Sequence, residues 1–168
     1  MPLVSHRIAV FLVPKNPDQD LPRELEQALL TELAHMNWVS EEGRAGRASN
    51  ELIEGGFQRF RVDRPGQPVL YGNRLGGFRA KCPSCGTSVA GSLGGVIETW
   101  RKHGDRRSSC TSCGERFLLE EWDYAPFAAP GNWALVFTRA EAPALRVEAK
   151  KCVERWLGFP VVEVVSRG

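Results

Sequence analysis

The chain has 168 residues, 42% of them hydrophobic and 25% charged, with 22 Lys and Arg against 20 Asp and Glu for a net charge of +2. That length supports one ordinary hydrophobic core, or a core with a small satellite module. The charge is too small to make the whole molecule a nucleic-acid or membrane binder. The longest apolar run, Ile8 to Val13, covers six residues, short of both a membrane span and a secretory hydrophobic region. The expectation is a cytoplasmic protein with no membrane association. Seventeen Arg against five Lys, with abundant Ala, Gly and Pro, point to GC-rich codons and a bacterial source.

In chain order, His6–Val13 is rich in β-branched and aromatic residues and is stopped by Pro14 and the Asn16-Pro17 pair, which predicts a strand. Asp20 and Pro22 mark a helix start, and Leu25, Ala28, Leu29, Leu33 and Met36 make one apolar face. Residues 40–50 read as a polar, flexible connection, with a short helical turn at Asn50–Glu54. Phe57–Val62 and Val69–Tyr71 read as strands around the turn Arg64-Pro65-Gly66.

The next segment holds four of the five cysteines. Lys81-Cys82-Pro83-Ser84-Cys85-Gly86 is echoed by Ser109-Cys110-Thr111-Ser112-Cys113-Gly114, a C-x2-C-x24-C-x2-C pattern with Gly after each second Cys. A C-x2-C turn aims two thiolates at one ion, and the Gly supplies the positive φ by which the chain leaves the turn. Two such turns give four sulfurs, the tetrahedral set of closed structural zinc sites. Residues 78–118 resemble the zinc-ribbon family, in which Cys-Pro-x-Cys-Gly is a common first knuckle. The resemblance implies one structural Zn2+ on Cys82, Cys85, Cys110 and Cys113, with no open coordination position. A thioredoxin-type redox pair does not need two copies, and a disulfide framework needs an oxidising compartment. Iron in a four-cysteine site stays open, because spacing does not separate it from zinc.

Between the knuckles, Gly91-Ser92-Leu93-Gly94-Gly95 lacks the Gly-Lys-Ser/Thr ending of a phosphate loop and reads as a flexible entry to Val96–His103. After them, Glu120, Glu121 and Asp123 alternate with Leu119 and Trp122, the pattern of the wet face of a strand. Trp133–Thr138 then reads as a strand, Pro143–Leu157 as a helix ended by Gly158, and Val161–Val165 as a last strand. Cys152 lies in the apolar stripe Leu145, Ala149, Cys152, Val153 and Trp156, so it reads as a small core residue.

The order β-α-β, metal segment, β-α-β matches an α+β, ferredoxin-like (split βαβ) core with an inserted four-Cys zinc ribbon. The corresponding division is 1–73, 74–123 and 124–168. The alternative is a ribbon embedded in a larger irregular sheet. His6, His35 and His103 are scattered over different elements, and no nucleophile, base and orienting group can be assembled. The expectation is a protein that is not an enzyme. From Arg74 to Arg107 seven basic residues face only Glu98 and Asp105, a local +5 that leaves −3 for the remainder. Two function classes follow. One is an adaptor or an immunity or antitoxin-type inhibitor that binds a protein partner through Trp100, Arg101, Lys102, Arg106 and Arg107, since Trp and Arg often anchor interfaces. The other is a nucleic-acid-binding accessory factor using the same basic face. Against both stand two plainer roles: cationic neighbours offset the −2 of a zinc tetrathiolate, and Trp100 packs the excursion onto the core.

Overall fold

A computed structural model describes residues 7–168. In chain order the elements are β1 (Ile8–Pro14), α1 (Arg23–His35), α2 (Ser49–Leu52), β2 (Arg59–Asp63), β3 (Val69–Tyr71), β4 (Arg79–Lys81) and α3 (Ala90–His103). They continue with β5 (Arg107–Ser109), β6 (Arg116–Leu118), a 3-10 turn at Leu119–Glu121, β7 (Asp123–Ala125), β8 (Ala129–Gly131), β9 (Ala134–Ala140), α4 (Val147–Leu157) and β10 (Val161–Arg167).

The molecule is α+β. Its main sheet has four strands in the order β10-β1-β9-β2, antiparallel at every junction. Successive side chains on a strand point to opposite faces, and both faces are apolar here. Val10, Leu12, Leu135 and Phe137 face the helices, where they meet Leu29 and Leu33 of α1 and Ala149, Val153 and Leu157 of α4. Phe11, Val13, Ala134, Val136 and Val164 face the other way, beneath Tyr71 and Ala129 of the β3–β8 pair. That pairing explains why a continuous apolar run such as Ile8–Val13 sits in an antiparallel strand: the sheet is covered on both sides.

Between β2 and β9 the chain runs out and back as nested antiparallel pairs, β3 with β8, β4 with β7, β5 with β6. This region has its own cluster, in which Ala80, Val89, Val96, Trp100, Leu119, Trp122, Tyr124 and Ala128 pack with Cys82 and Cys110. Arg106 joins the two regions. Its guanidinium makes a two-bond contact with Glu120, Nε to Oε2 at 3.0 Å and Nη2 to Oε1 at 2.9 Å, and reaches Asp18 Oδ1 in the loop after β1 at 2.6 Å. It also lies 5.6 Å from the centre of the Trp100 ring.

The strands and helices read from periodicity are found, β1, α1, β9, α4 and β10 within a few residues of the expected bounds; His6 lies outside the described residues. Residues 40–50 are not a loose connection. Arg44 bridges to Arg59, Val39 to Ala45, and the Phe60 amide donates to the Gly43 carbonyl at 2.8 Å. The segment is held because Trp38, Val39, Leu52, Ile53 and Phe57 on either side bury themselves in the helix-side core. The glycine-rich 91–95 stretch is not an entry loop but the first half of α3. Each mid-helix Gly costs about 1 kcal/mol against Ala, yet Gly91, Gly94 and Gly95 have open space around them while Val96 and Trp100 are buried on the opposite side. Packing of that side outweighs the propensity. Glu120 and Glu121 are in the 3-10 turn rather than on a strand: Glu121 accepts the Leu118 amide at 2.7 Å and Glu120 holds Arg106. Cys152 is half-buried at the edge of the core.

Candidate metal centre

Each knuckle follows a three-residue strand, so β4 delivers Cys82 and β5 delivers Cys110. The two turns are built alike. The Cys82 amide donates to the Thr87 carbonyl at 2.9 Å and the Gly86 amide to the Cys82 carbonyl at 2.9 Å. At the second knuckle the Cys110 amide donates to the Glu115 carbonyl at 2.8 Å and the Gly114 amide to the Cys110 carbonyl at 2.9 Å. Gly86 (φ 72°) and Gly114 (φ 78°) occupy the left-handed region that a Cβ disfavours.

The result is one cluster of four sulfurs, all within 4.8 Å of one another. Cys82 Sγ lies 3.7 Å from Cys113 Sγ, and Cys85 Sγ lies 3.6 Å from Cys110 Sγ. A tetrahedron with metal–sulfur bonds of about 2.3 Å has edges of about 3.8 Å, so these spacings suit a tetrathiolate ion and are far too long for disulfides. All five cysteines are free. Cys82 and Cys110 are buried, whereas Cys85 and Cys113 are at the surface.

The two surface thiols are shifted in opposite directions. Hydrogen bonding to the Thr87 side chain and backbone pulls the Cys85 thiol down to about 6. At Cys113 the bond with the Glu115 backbone also lowers the pKa, but burial and the sulfurs of Cys82, Cys110 and Cys85 outweigh it and push the thiol up to about 12. The Ser112 amide points at Cys110 Sγ from 3.4 Å, a further donor to the sulfur set. The four cysteines thus make a metal-binding cluster consistent with a zinc-binding module. His103 is exposed and outside it.

The residues read as a partner surface are divided by the structure. Trp100 is only 3% exposed, inside the cluster with Val96 and Leu119. Arg106 is 8% exposed and spent on Asp18, Glu120 and the Trp100 ring. Its charge is held even more firmly than usual, chiefly by the bonds with Glu120. Arg101, Lys102 and Arg107 are exposed. Arg101 Nε donates to the Pro68 carbonyl at 2.8 Å, Lys102 pairs with Glu98 at 3.2 Å, and Arg107 Nε pairs with Asp105 at 2.9 Å. Around the knuckles Arg79, Lys81 and Arg116 are exposed and make no ion pair among the described residues. No protein family, curated protein or solved structure matches this chain.

Sequence reasoning missed two sets of residues. Thr87, which contacts Cys85 Sγ at 3.3 Å, is signalled by its place one residue past the knuckle glycine. A group of arginines on the sheet face away from the helices has only a weak signal, the alternation of Arg59, Arg61 and Asp63 along β2.

Proposed function

We propose that the protein is a small, non-catalytic zinc-binding protein that works by stoichiometric binding to a protein partner, as an adaptor or an immunity or antitoxin-type inhibitor. The observation that carries this reading is the closed set of four cysteine sulfurs: with every position of a tetrahedral ion filled by protein, no place remains for water or substrate. The ion is one structural zinc. It staples a region whose own apolar cluster is small, and α3 then presents Arg101 and Lys102 outward from a buried Val96 and Trp100. The core is read as ferredoxin-like (split βαβ), a reading supported by the strand order β10-β1-β9-β2 and by α1 and α4 on one face, with the zinc ribbon inserted between β2 and β9. Free thiols held for a metal suit the reducing cytoplasm, and no helix among the described residues is long and apolar enough to cross a membrane.

The exposed, unpaired Arg79, Lys81 and Arg116 favour a second reading, contact with nucleic acid. The separating experiment is recovery of the tagged full chain from its native cell with and without nuclease, followed by reconstitution with the recovered partner. A one-to-one protein complex that survives nuclease, tolerates salt and weakens in Arg101→Ala/Lys102→Ala is the expected result. Tight DNA or RNA binding that falls steeply with salt and is abolished in that double variant gives the molecule to the second reading instead.

A further inference from the structure

We propose that the sheet face opposite α1 and α4 carries a separate site, a groove for a small phosphate-bearing ligand of nucleotide size. A cavity of about 320 Å³ opens there between the ends of β1, β2, β9 and β10, within the range of small-molecule sites, roughly 300–1,000 Å³. Phe11 and Val136 form part of its floor, and Arg7, Arg61, Arg74 and Arg139 stand around it. Among the described residues no Asp or Glu lines it. Among the described residues the one carboxylate within 4.0 Å of any of the four guanidinium groups is Asp63, 3.9 Å from Arg61, and Asp63 already accepts the Tyr71 hydroxyl at 3.0 Å. Residues 1–6, Met-Pro-Leu-Val-Ser-His, contain no acid either. Four arginines around one concavity have a single carboxylate, that of Asp63, within 4.0 Å among the described residues, and a phosphate ester, which arginine binds through two parallel N–H···O bonds, is the ligand that suits them.

Two of the arginines are aimed by specific backbone features. In strict pleat alternation Arg139 would join Leu135 and Phe137 on the helix side of β9. The register instead steps between Ile8, opposite Ala140, and Ala9, opposite Thr138, which leaves Arg139 as the extra residue of a bulge. Its φ of 50° is in the left-handed region, uncommon for a residue with a Cβ. Bulges of this kind redirect side chains, and here Arg139 lines the groove together with Val136. Arg74 is set by its loop. Its amide donates to Ser166 Oγ at 3.1 Å, the Arg167 amide donates to Asn73 Oδ1 at 2.8 Å, and the Leu75 amide donates to the Arg167 carbonyl at 3.1 Å. Those three bonds fasten residues 73–75 to the end of β10.

The geometry favours a single small ligand over a polynucleotide. The four arginines come from separate chain segments around one cavity, not from a track along one element. Strand-binding grooves offer aromatic faces on which bases stack, whereas Phe11 is only 7% exposed and has the Tyr71 ring 5.6 Å away.

This site is independent of the partner-binding reading and of the metal. The test is calorimetric titration of the full metal-loaded chain with inorganic pyrophosphate and with ADP. Saturable one-to-one binding of both is expected, weakened at least tenfold in Arg139→Gly and in Arg74→Gln. Glycine accepts the backbone of residue 139 without strain, so unchanged melting and metal content in Arg139→Gly separate lost binding from lost folding. Absence of saturable binding at millimolar ligand, or equal affinity in the wild type and both variants, overturns the proposal. An eight-residue oligothymidylate that binds many-fold more tightly than ADP and loses that affinity in the same variants also overturns it, in favour of a strand-binding face.

Discussion

The sheet core and the cysteine region differ in what holds them. The core gathers twenty buried residues between the sheet and its helices, from Val10 to Val161, and a further set on the opposite face. The cysteine region has ten, and two of those are Cys82 and Cys110 themselves. Its strands are three residues long, its longest helix carries Gly91, Gly94 and Gly95, and its four sulfurs converge on one point. Apolar burial at roughly 25 cal/mol per Å² suffices for the first region. In the second, four cysteines are positioned to bind one metal ion, the usual resort of segments with so small a core.

Chelation is therefore expected to give the largest effect. Structural zinc binding contributes about 10–16 kcal/mol in small zinc-finger peptides. One zinc per chain is expected by metal analysis, lost on Cys110→Ser and retained on His103→Ala. On chelation, hydrogen exchange should show early loss of protection over β4–β7 and β5–β6 while β1 and β9 stay protected. If all strands lose protection together, the two regions are one cooperative unit and the contrast between them fails.

Truncating one aromatic in each region sharpens the comparison from the apolar side. Phe137 is fully buried in the sheet and Trp100 nearly so under α3, and such truncations cost about 3–5 kcal/mol each. Phe137→Ala should lower the global melting temperature. Trp100→Ala should weaken metal retention and protection around α3, with a smaller effect on the sheet. Equal global destabilisation by both would again merge the regions.

Arg106 tests their junction. Removing one member of a buried ion pair costs about 3–5 kcal/mol, but Asp18 is 61% exposed and Glu120 22%, so both carboxylates recover water and Arg106→Ala should cost about 2–3 kcal/mol. The informative readout is coupling. In this variant, chelation should perturb the sheet amides even less than in the wild type. An unchanged response would move the junction elsewhere.

Much of this contrast is legible in the amino-acid sequence. The cysteine knuckles are local turns, and each announces itself in six residues. β1, α1, β9, α4 and β10 are long enough for a period of 2 or 3.6 to show. The short strands β4 to β8 have three residues each, too few for any period, and exist because their partners are brought opposite them. Whether Trp100 faces a partner or the interior depends on where α3 lies, which no spacing reveals. Residues 40–50 look like a linker by composition and are ordered by apolar neighbours on either side. The bulge that turns Arg139 is a property of strand register, and the sequence around it, Phe137-Thr138-Arg139-Ala140, carries no mark of it.

The smallest expected effect is a pH dependence that each region shows through one residue. The chain has only two tyrosines, Tyr71 under the sheet and Tyr124 in the cysteine region, both buried. Burial raises the Tyr71 pKa above 10, helped by the charge and hydrogen bond of Asp63. Burial likewise raises that of Tyr124, with a further contribution from Glu120, and its hydroxyl donates to the Leu119 carbonyl at 2.6 Å. A raised folded-state pKa means that the unfolded chain releases its proton first. The stabilisation is then complete below pH 10, near the unfolded value, and is lost as pH rises above it. Spectrophotometric titration of the folded chain should show no tyrosinate absorbance near pH 10 from either residue, with the signal rising only well above that or on unfolding. Tyr71→Phe should flatten the alkaline loss of the sheet and Tyr124→Phe that of the metal region, each read by hydrogen exchange in its own strands. A step worth half of the full tyrosinate signal with its midpoint near pH 10 in the folded protein would show that one region is open to water, and the single-tyrosine variants would say which.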